Sequence, residues 1–273
     1  MLRVDAEQTV YGKPITRLLR ATHQSNLCLL TDDQTFEIAY NCSFVMQWTS
    51  MSASHDGQKI RSLNTQVSLM EAAEKLIAAR GIHNVSIKEI VREAKQKNES
   101  ALQYHFKNLQ GLIDAIHRRR NEQVREKRAD LLAQLEPTTK APSLRDLCHI
   151  MVIPIYLISK IDSKFRRYIC AFSHELALTE ESALSKVKKS GGGGESGERA
   201  GKLLRAALPH LDESAYRQRM DLAVRMSSVA MGHHARQKNA FRGPKSDLFV
   251  SHLIDALEGL LSAPVSNKTR TFS

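Results

Sequence analysis

The sequence is poor in residues and patterns that several classes of protein require. Among its 273 residues, aromatic side chains make up 5% and there is 1 tryptophan. This disfavours an all-β sandwich or barrel, because strands are enriched in Tyr, Phe and Trp. No apolar run reaches the ~18 residues that a membrane-spanning helix needs. We therefore expect no membrane partner.

Cysteine is also scarce, with 4 residues spread along the chain: Cys28, Cys42, Cys148 and Cys170. None of these cysteines has the close spacing of a redox motif or a compact zinc site. The neighbouring histidines His233 and His234 diverge by ~100° on a helix and form no metal-binding motif. We expect a protein of the reducing cytoplasm, with idle thiols, no metal and no cofactor.

Positive charge is present in excess, since 40 Lys+Arg stand against 29 Asp+Glu. The excess is densest in residues 59–128, where 15 basic side chains face 8 acidic ones, whereas residues 129–273 hold 21 and 15. Such concentration is typical of a protein that binds a polyanion, because phosphate contacts release counterions. A solvated protein face would give the same count, so charge alone leaves both interpretations open.

The first part of the chain carries little structural signal. Residues 1–58 lack sustained helical periodicity, and their few β-type residues would make at most a marginal hairpin. We expect this segment to be an extension that belongs to neither domain. It is either disordered or the result of a start codon assigned too far upstream.

The next segment predicts helices. Apolar residues over 69–77 recur at three- and four-residue spacing, which indicates a helix from about Asn64 that ends near Gly81. Ser86 and Glu89 have the spacing of a capping box, which predicts a second helix over about 87–94.

A short break at residues 95–97 precedes a third predicted helix that ends at His105, and a long fourth helix follows from Leu109. The three short helices form a tri-helical helix-turn-helix pattern. We place the domain at residues 59–120 and the helix-turn-helix motif at about 87–106.

The remaining chain also predicts helices. We expect them at residues 143–160, 163–178, 198–208, 212–238 and 246–262. Because it contains four consecutive glycines, the polar stretch 186–197 is expected to be a flexible loop. The predicted fold is all-α, with the N-terminal helix-turn-helix domain, a C-terminal helical domain at 121–264 and a flexible tail at 265–273.

One set of positions in the first domain has a specific pattern. It comprises Met70–Ile77, Gly81, Ser86, Ile90, Ala94, Tyr104–Phe106 and Leu112. In these positions the chain resembles the N-terminal domain of TetR-family transcriptional regulators, and Asn98–Phe106 is similar to the variant Asn-x-Ser-Ala-Leu-Gln-Tyr-His-Phe. The chain departs from the family at Lys95 and Gln96, where Gly and an apolar residue are usual.

The resemblance implies a sequence-specific DNA-binding regulator whose third helix lies in the major groove of double-stranded DNA. Asn and Gln can pair with adenine and Lys with guanine. The candidates for base contacts are Lys97, Asn98, Ser100 and Gln103. The candidates for phosphate contacts are Ser86, Lys88, Tyr104, His105 and Lys107.

Some of these assignments have structural alternatives. Tyr104 could be a core aromatic, we assign Phe106 to the core, and Ser86 is a helix cap before it is a phosphate contact. The triplet Arg118–Arg120 points in three directions on a helix. We therefore interpret it as a solvated face rather than a DNA clamp.

In this family the C-terminal domain binds a small molecule and forms the dimer, which implies an unknown effector and a homodimer. We interpret the protein as a ligand-responsive repressor that binds a palindromic operator. Candidates for the effector pocket, which plain core packing also explains, are Met151, Ile155, Phe165, Phe172, Met226 and Met231. The last long helix has an apolar arc wider than one core stripe requires, with interface candidates Phe249, Leu253, Leu257 and Leu260.

Two other classes of function stay open at this stage. The chain could be an all-helical small-molecule enzyme, although it has no Gly-x-Ser-x-Gly motif and we expect no catalysis. It could also bind nucleic acid without sequence preference. The sequence identifies neither the effector, nor the operator, nor the regulated genes.

Overall fold

The structure is a computed structural model that describes residues 9–10, 13–14, 42–135 and 141–272, with side chains from residue 57 onward. Strands β1 (Thr9–Val10) and β2 (Lys13–Pro14) pair antiparallel. Helix α1 (Cys42–Arg80) begins far before the start at Asn64 that periodicity indicates. The predicted extension over residues 1–58 otherwise lies largely outside the described residues.

The rest of the described chain is helical, which confirms the all-α fold class. A single 3-10 turn, Ile82–Asn84, follows α1. The further helices are α2 (Ile87–Glu93), α3 (Ser100–Phe106), α4 (Leu109–Leu135), α5 (Leu144–Ile161), α6 (Ser163–Phe172), α7 (Glu175–Leu178), α8 (Ala183–Lys189), α9 (Gly194–Ala207), α10 (Glu213–Ala235), α11 (Gly243–Ser262) and α12 (Asn267–Arg270).

Several of these bounds differ from the prediction: α9 begins at Gly194 rather than 198, α10 ends at Ala235 rather than 238, α11 begins at Gly243 rather than 246, and α8 is not predicted. The helix expected over 163–178 breaks after Phe172 and resumes as α7. The tail after Pro264, expected to be flexible, contains the short helix α12, whose first turn is capped by Ser266.

The first hydrophobic core, which we call the N-terminal core, lies between α1, α2, α3 and the first half of α4. Leu69, Ile90, Leu102 and Ile116 are fully buried there, one from each helix. Each such side chain contributes about 1.5–3 kcal/mol by leaving water. This packing fixes the angle at which the outer side of α3 faces solvent.

Helices α4 and α6 connect the N-terminal core to a second core formed by the later helices. Ile116 of α4 lies in the N-terminal core, whereas Val124 of the same helix lies in the second. Phe165 of α6 packs in the second core and Phe172 in the first. A displacement of either helix would therefore be felt in both cores.

A buried ion pair joins the same parts of the molecule. Arg120 and Glu74 are each 1% exposed, and the guanidinium donates from Nε and Nη2 to the two carboxylate oxygens at 2.7 Å each. Nη1 of Arg120 also donates to Asp162, between α5 and α6, at 3.3 Å. Burial opposes the charged form, but the bonds to Glu74 outweigh it and raise the pKa of Arg120. The interpretation of Arg118–Arg120 as a solvated face is wrong for Arg120.

The glycine-rich stretch is ordered against α4 rather than a flexible loop. Residues 190–193, which we call the glycine segment, form a tight turn between α8 and α9. Asn121 donates to the carbonyl of Ser190 at 2.7 Å, and Arg125 donates to that of Gly191 at 2.9 Å. Gly191 has φ 82°, a left-handed conformation that glycine adopts without strain. The prediction failed because these anchors lie about 65–70 residues earlier in the chain.

Candidate nucleic-acid interface and ligand cavity

Helix α2 begins with the predicted capping box. The amide of Glu89 donates to Oγ of Ser86 at 3.3 Å, and the amide of Ser86 donates to the Glu89 carboxylate at 2.9 Å. Arg80, at the end of α1, donates to the other oxygen of that carboxylate at 2.7 Å. These bonds tie the start of α2 to the end of α1, and so fix one side of the helix-turn-helix motif.

The capping box gives a pH-dependent prediction. The backbone bond from Ser86, followed by the bond from Arg80, lowers the pKa of Glu89 from 4.5 to about 2. A lowered folded-state pKa stabilises the protein above the unfolded value, and this stabilisation is lost as the pH falls from about 4.5 to 2. We expect Glu89→Gln to be less stable than wild type at pH 6, and the difference to close near pH 2.

Urea unfolding at a series of pH values measures this difference. Glu126→Gln, which changes an exposed carboxylate on α4, is the charge-matched control. A difference between wild type and Glu89→Gln that stays constant from pH 6 to pH 2 would contradict the assigned role of Glu89.

The turn between α2 and α3 contains a residue in the left-handed backbone conformation, and this residue is not glycine. Lys95 has φ 57°, and its amide donates to the carbonyl of Arg92 at 3.0 Å. The next amide, of Gln96, donates to the carbonyl of Val91 at 3.0 Å. An L-residue in this conformation costs about 1–2 kcal/mol. The substitution at Lys95 therefore preserves the turn geometry at the expense of local strain.

Helix α3 has one buried and one exposed side. Leu102 and Phe106 point into the N-terminal core, as predicted for Phe106. Tyr104 is 83% exposed, so its alternative placement in the core is excluded. Large aromatic side chains are seldom left so exposed without a partner. The other exposed candidates on this surface are Lys97, Asn98, Ser100, Gln103 and Lys107.

His105 differs from its neighbours on α3. Its ring is half-buried, with the ring of Tyr104 at a centroid distance of 4.8 Å and that of Phe106 at 6.1 Å. Burial lowers the pKa of His105, so the imidazole is neutral at pH 7. It can donate or accept one hydrogen bond there but adds no positive charge to the surface.

The outer side of α2 continues the same surface. Ser86 and Lys88 are exposed. The Ser86 hydroxyl donates to the Glu89 carboxylate at 2.8 Å and accepts from the Glu89 amide, so both its roles are taken by the cap. The Lys88 side chain forms no hydrogen bond or ion pair with the other described residues. Of the two, Lys88 is the better placed to reach an outside anion.

A cavity of about 490 Å³ lies on the other side of α4, among helices α4 to α10. Its volume is within the ~300–1,000 Å³ usual for ligand pockets. Most side chains that line it are apolar. Five of the six predicted residues are among them: Met151, Ile155, Phe165, Phe172 and Met231. The sixth, Met226, is half-buried on α10 outside the lining.

Polar groups that the sequence did not single out also line this cavity. Nδ1 of His117 lies 3.1 Å from the Tyr168 hydroxyl, and Nε2 lies 3.1 Å from a Glu175 carboxylate oxygen. Burial raises the pKa of Tyr168, which keeps its hydroxyl protonated. Arg128 lines the cavity near the glycine segment. No local pattern marks these residues, because their partners come from other helices.

Helix α11 carries the four predicted interface residues, and it directs them mainly into the chain's own core. Leu253 and Leu257 are buried in the second core, and Phe249 and Leu260 are half-buried against it. The wide apolar arc of α11 is largely covered within the chain, because α11 packs on both α5 and α10. The large apolar side chains that face outward on α10 and α11 are instead Leu222, Val229 and Leu248.

The described residues hold neither of two other kinds of feature. In residues 57–135 and 141–272, no three His, Cys, Asp or Glu side chains are grouped so that they could hold a metal ion. None of the helices described combines the length and hydropathy of a membrane-spanning segment.

Comparison with known proteins connects the first domain to a family. Residues 69–116 match the family described as bacterial regulatory proteins, tetR family. This range contains the capping box, the turn at Lys95 and the exposed side of α3. No curated protein matches the chain.

A solved structure is also similar to the chain. It is a crystal structure from Rhodococcus sp. of a protein assigned to the TetR-family transcriptional regulators. It shares 15% identity with a TM-score of 0.48, and the match covers 72% of this chain and 99% of that one. At this level the likeness says nothing about what the present chain binds.

Proposed function

We propose that this chain, whose residues 69–116 match the family described as bacterial regulatory proteins, tetR family, is a DNA-binding transcription regulator and a ligand-responsive repressor. In this proposal it binds a palindromic operator as a homodimer. A small molecule that occupies the cavity releases it from DNA.

The observation that carries the proposal is the exposed side of α3. Tyr104 is exposed on a helix whose other side packs in the N-terminal core, and Asn98, Gln103 and Lys107 are exposed in or beside the same helix. A rigid helix with this outer surface suits insertion into the major groove. Asn98 and Gln103 would read bases, while Tyr104 and Lys107 would contact phosphates and position the helix.

The dimer in this proposal uses the outer side of α10 and α11. Leu222 and Val229 are seven residues apart, with half-buried Met226 between them, so the three lie along one side of α10. Leu248 is exposed on α11, which packs against α10. A second copy of the chain would cover this surface, which we call the α10–α11 face, around a two-fold axis.

The response to a ligand follows from the two helices that serve both cores. Phe165 and Phe172 of α6 line the cavity, and Phe172 also packs in the N-terminal core. His117 and Val124 of α4 line it as well. A ligand that favours a different position of α4 or α6 would change the spacing of the two recognition helices, and so lower operator affinity by a coupling free energy.

Selection of bound sequences from random double-stranded DNA tests this function. We expect an enriched palindrome with half-sites about one helical turn, ~34–36 Å, apart. On that operator, Gln103→Ala should lower affinity about 5- to 150-fold, since one bidentate base contact is worth ~1–3 kcal/mol. The variant should also relax the preference at one base position in each half-site.

Gln134→Ala, an exposed glutamine near the end of α4, is the matched control and should bind like wild type. Recovery of no palindrome would overturn the repressor proposal and favour a nonspecific nucleic-acid binder. Equal losses on operator and on random DNA in Gln103→Ala would remove this residue from the base-reading set. Thermal unfolding of each variant separates a lost contact from a lost fold.

A further inference from the structure

The cavity contains a cation that no carboxylate of the described residues neutralises. Arg128 of α4 is half-buried, and Nη1 donates to the carbonyls of Gly192 and Gly193 at 3.1 and 3.3 Å. Burial, and then the neighbouring Arg125, lower the pKa of Arg128. No carboxylate of the described residues pairs with it. An arginine still stays protonated, so its positive charge lies at the cavity wall without a counter-charge.

Two other arginines on the same helix have carboxylate partners. Arg120 is held by Glu74 with two bonds, and Arg125 is paired with Glu122. Arg128 therefore differs from these two arginines, although Arg118 and Arg119 of the same helix also form no ion pair with a described carboxylate.

The acidic groups that line the cavity do not fill this role. A carboxylate oxygen of Glu175 lies 3.1 Å from Nε2 of His117, so the nearest partner of Glu175 is this imidazole ring. Glu198 is exposed on α9 and makes no ion pair with Arg128 or Lys186 in the described part of the chain. Lys186 of α8 lines the same cavity and adds a second positive charge beside the glycine segment.

The guanidinium has donors to spare. Its Nη1 is engaged on the two glycine carbonyls, whereas Nε and Nη2 make no hydrogen bond to the described residues. Two neighbouring N–H groups of a guanidinium match the two oxygens of a carboxylate or phosphate. Much of the rest of the wall is apolar, and this part includes Met151, Ile155, Phe165, Ile169, Met220 and Val224.

We propose that this cavity binds an amphipathic anion, a molecule with an apolar body and one terminal carboxylate or phosphate group. Arg128 and Lys186 hold the anionic group beside the glycine segment, and the apolar body lies against the methionine and aromatic side chains. The role of this molecule as the effector rests on the proposed function. Its binding to the cavity does not.

Isothermal titration of the full chain, without DNA, tests the proposal with four probes that share one ten-carbon chain. The probes are decanoate, decyl phosphate, decan-1-ol and decylamine, each below its aggregation concentration. We expect at least one anion to bind at least tenfold more tightly than the alcohol and the amine. The ratio of the two anions tells carboxylate from phosphate.

Two variants assign the binding to this site. Arg128→Met and Lys186→Met should each weaken the bound anion about tenfold or more and leave decan-1-ol unchanged. Lys186→Met keeps the bonds of Arg128 to the glycine segment. It therefore tests the anion site even if Arg128→Met disturbs the fold. Lys127→Met removes the same charge from α4 at a position outside the lining and should bind every probe like wild type.

Three results would overturn the proposal. They are no binding of either anion, equal binding of anion and alcohol, and equal losses for both in Lys186→Met. Addition of the bound anion to the protein–operator complex then addresses the effector role separately. An anion that binds the cavity but does not release the operator would leave the ligand class intact and refute the ligand response.

Discussion

Replacement of Arg120 by methionine is expected to destabilise the protein by about 3–5 kcal/mol, the range for breaking a buried ion pair by removing one partner. The reason is what stays behind. Glu74 is 1% exposed, and without Arg120 both of its carboxylate oxygens lose their charged donor inside the fold. Urea unfolding at a fixed protein concentration measures the change, since dimer formation would otherwise contribute to it.

The controls separate the ion pair from simple loss of charge. Arg118→Met, which changes an exposed arginine on the same helix, should stay within about 0.5 kcal/mol of wild type. The double variant Arg120→Met with Glu74→Met should recover most of the loss, because no unpaired charge is left in the interior. A single variant as stable as Arg118→Met would refute the structural role given to Arg120.

A charge introduced on the α10–α11 face is expected to have the second large effect, a loss of affinity between the two copies of the proposed homodimer. Leu222 is 53% exposed on this face, and in the proposed homodimer each copy would bring one substituted residue into the interface. In Leu222→Glu two carboxylates would therefore be buried there, and burial of an unpaired charge costs several kcal/mol. Each 1.4 kcal/mol is a factor of ten, so we expect the dimer to weaken at least ~100-fold. Light scattering coupled to size exclusion measures it.

Leu63→Glu provides the matched control, since Leu63 is 51% exposed on α1, whereas α10 and α11 pack chiefly on α5 to α8 and on each other. It should remain a dimer at the concentration at which Leu222→Glu is a monomer. Operator affinity should fall with dimerisation in Leu222→Glu. A dimer that tolerates Leu222→Glu would place the interface elsewhere, and a wild type that is monomeric throughout would refute the homodimer.

The features predictable from sequence were those set by neighbours in the chain. The capping boxes at Ser86–Glu89 and Ser143–Asp146 are both present, because a cap needs only a hydroxyl and a carboxylate three residues apart. The apolar stripes of α1 to α4 likewise indicated the N-terminal core. The family of the DNA-binding domain followed from residues within these same helices, and the comparison confirms it.

The features not predictable from sequence depend on partners far along the chain. Arg120 looks like its two neighbours until Glu74, 46 residues earlier, is placed beside it. The glycine segment resembles a linker by composition, but bonds from α4 hold it in place. Leu257 belongs to an apolar arc whose width favours a dimer interface over a buried core helix, but its side chain is buried in the second core, where α11 packs on α5 and α10.

The Arg120–Glu74 pair also bears on how the protein folds. The sequence predicts a division near residue 120 into a DNA-binding domain and a second helical domain. The N-terminal core nevertheless includes Ala171 and Phe172 of α6, and Glu74 receives its charged partner from the middle of α4. A fragment that stops at residue 119 would lack these groups and retain a buried carboxylate without a donor. We therefore expect the two parts to unfold together in a single transition.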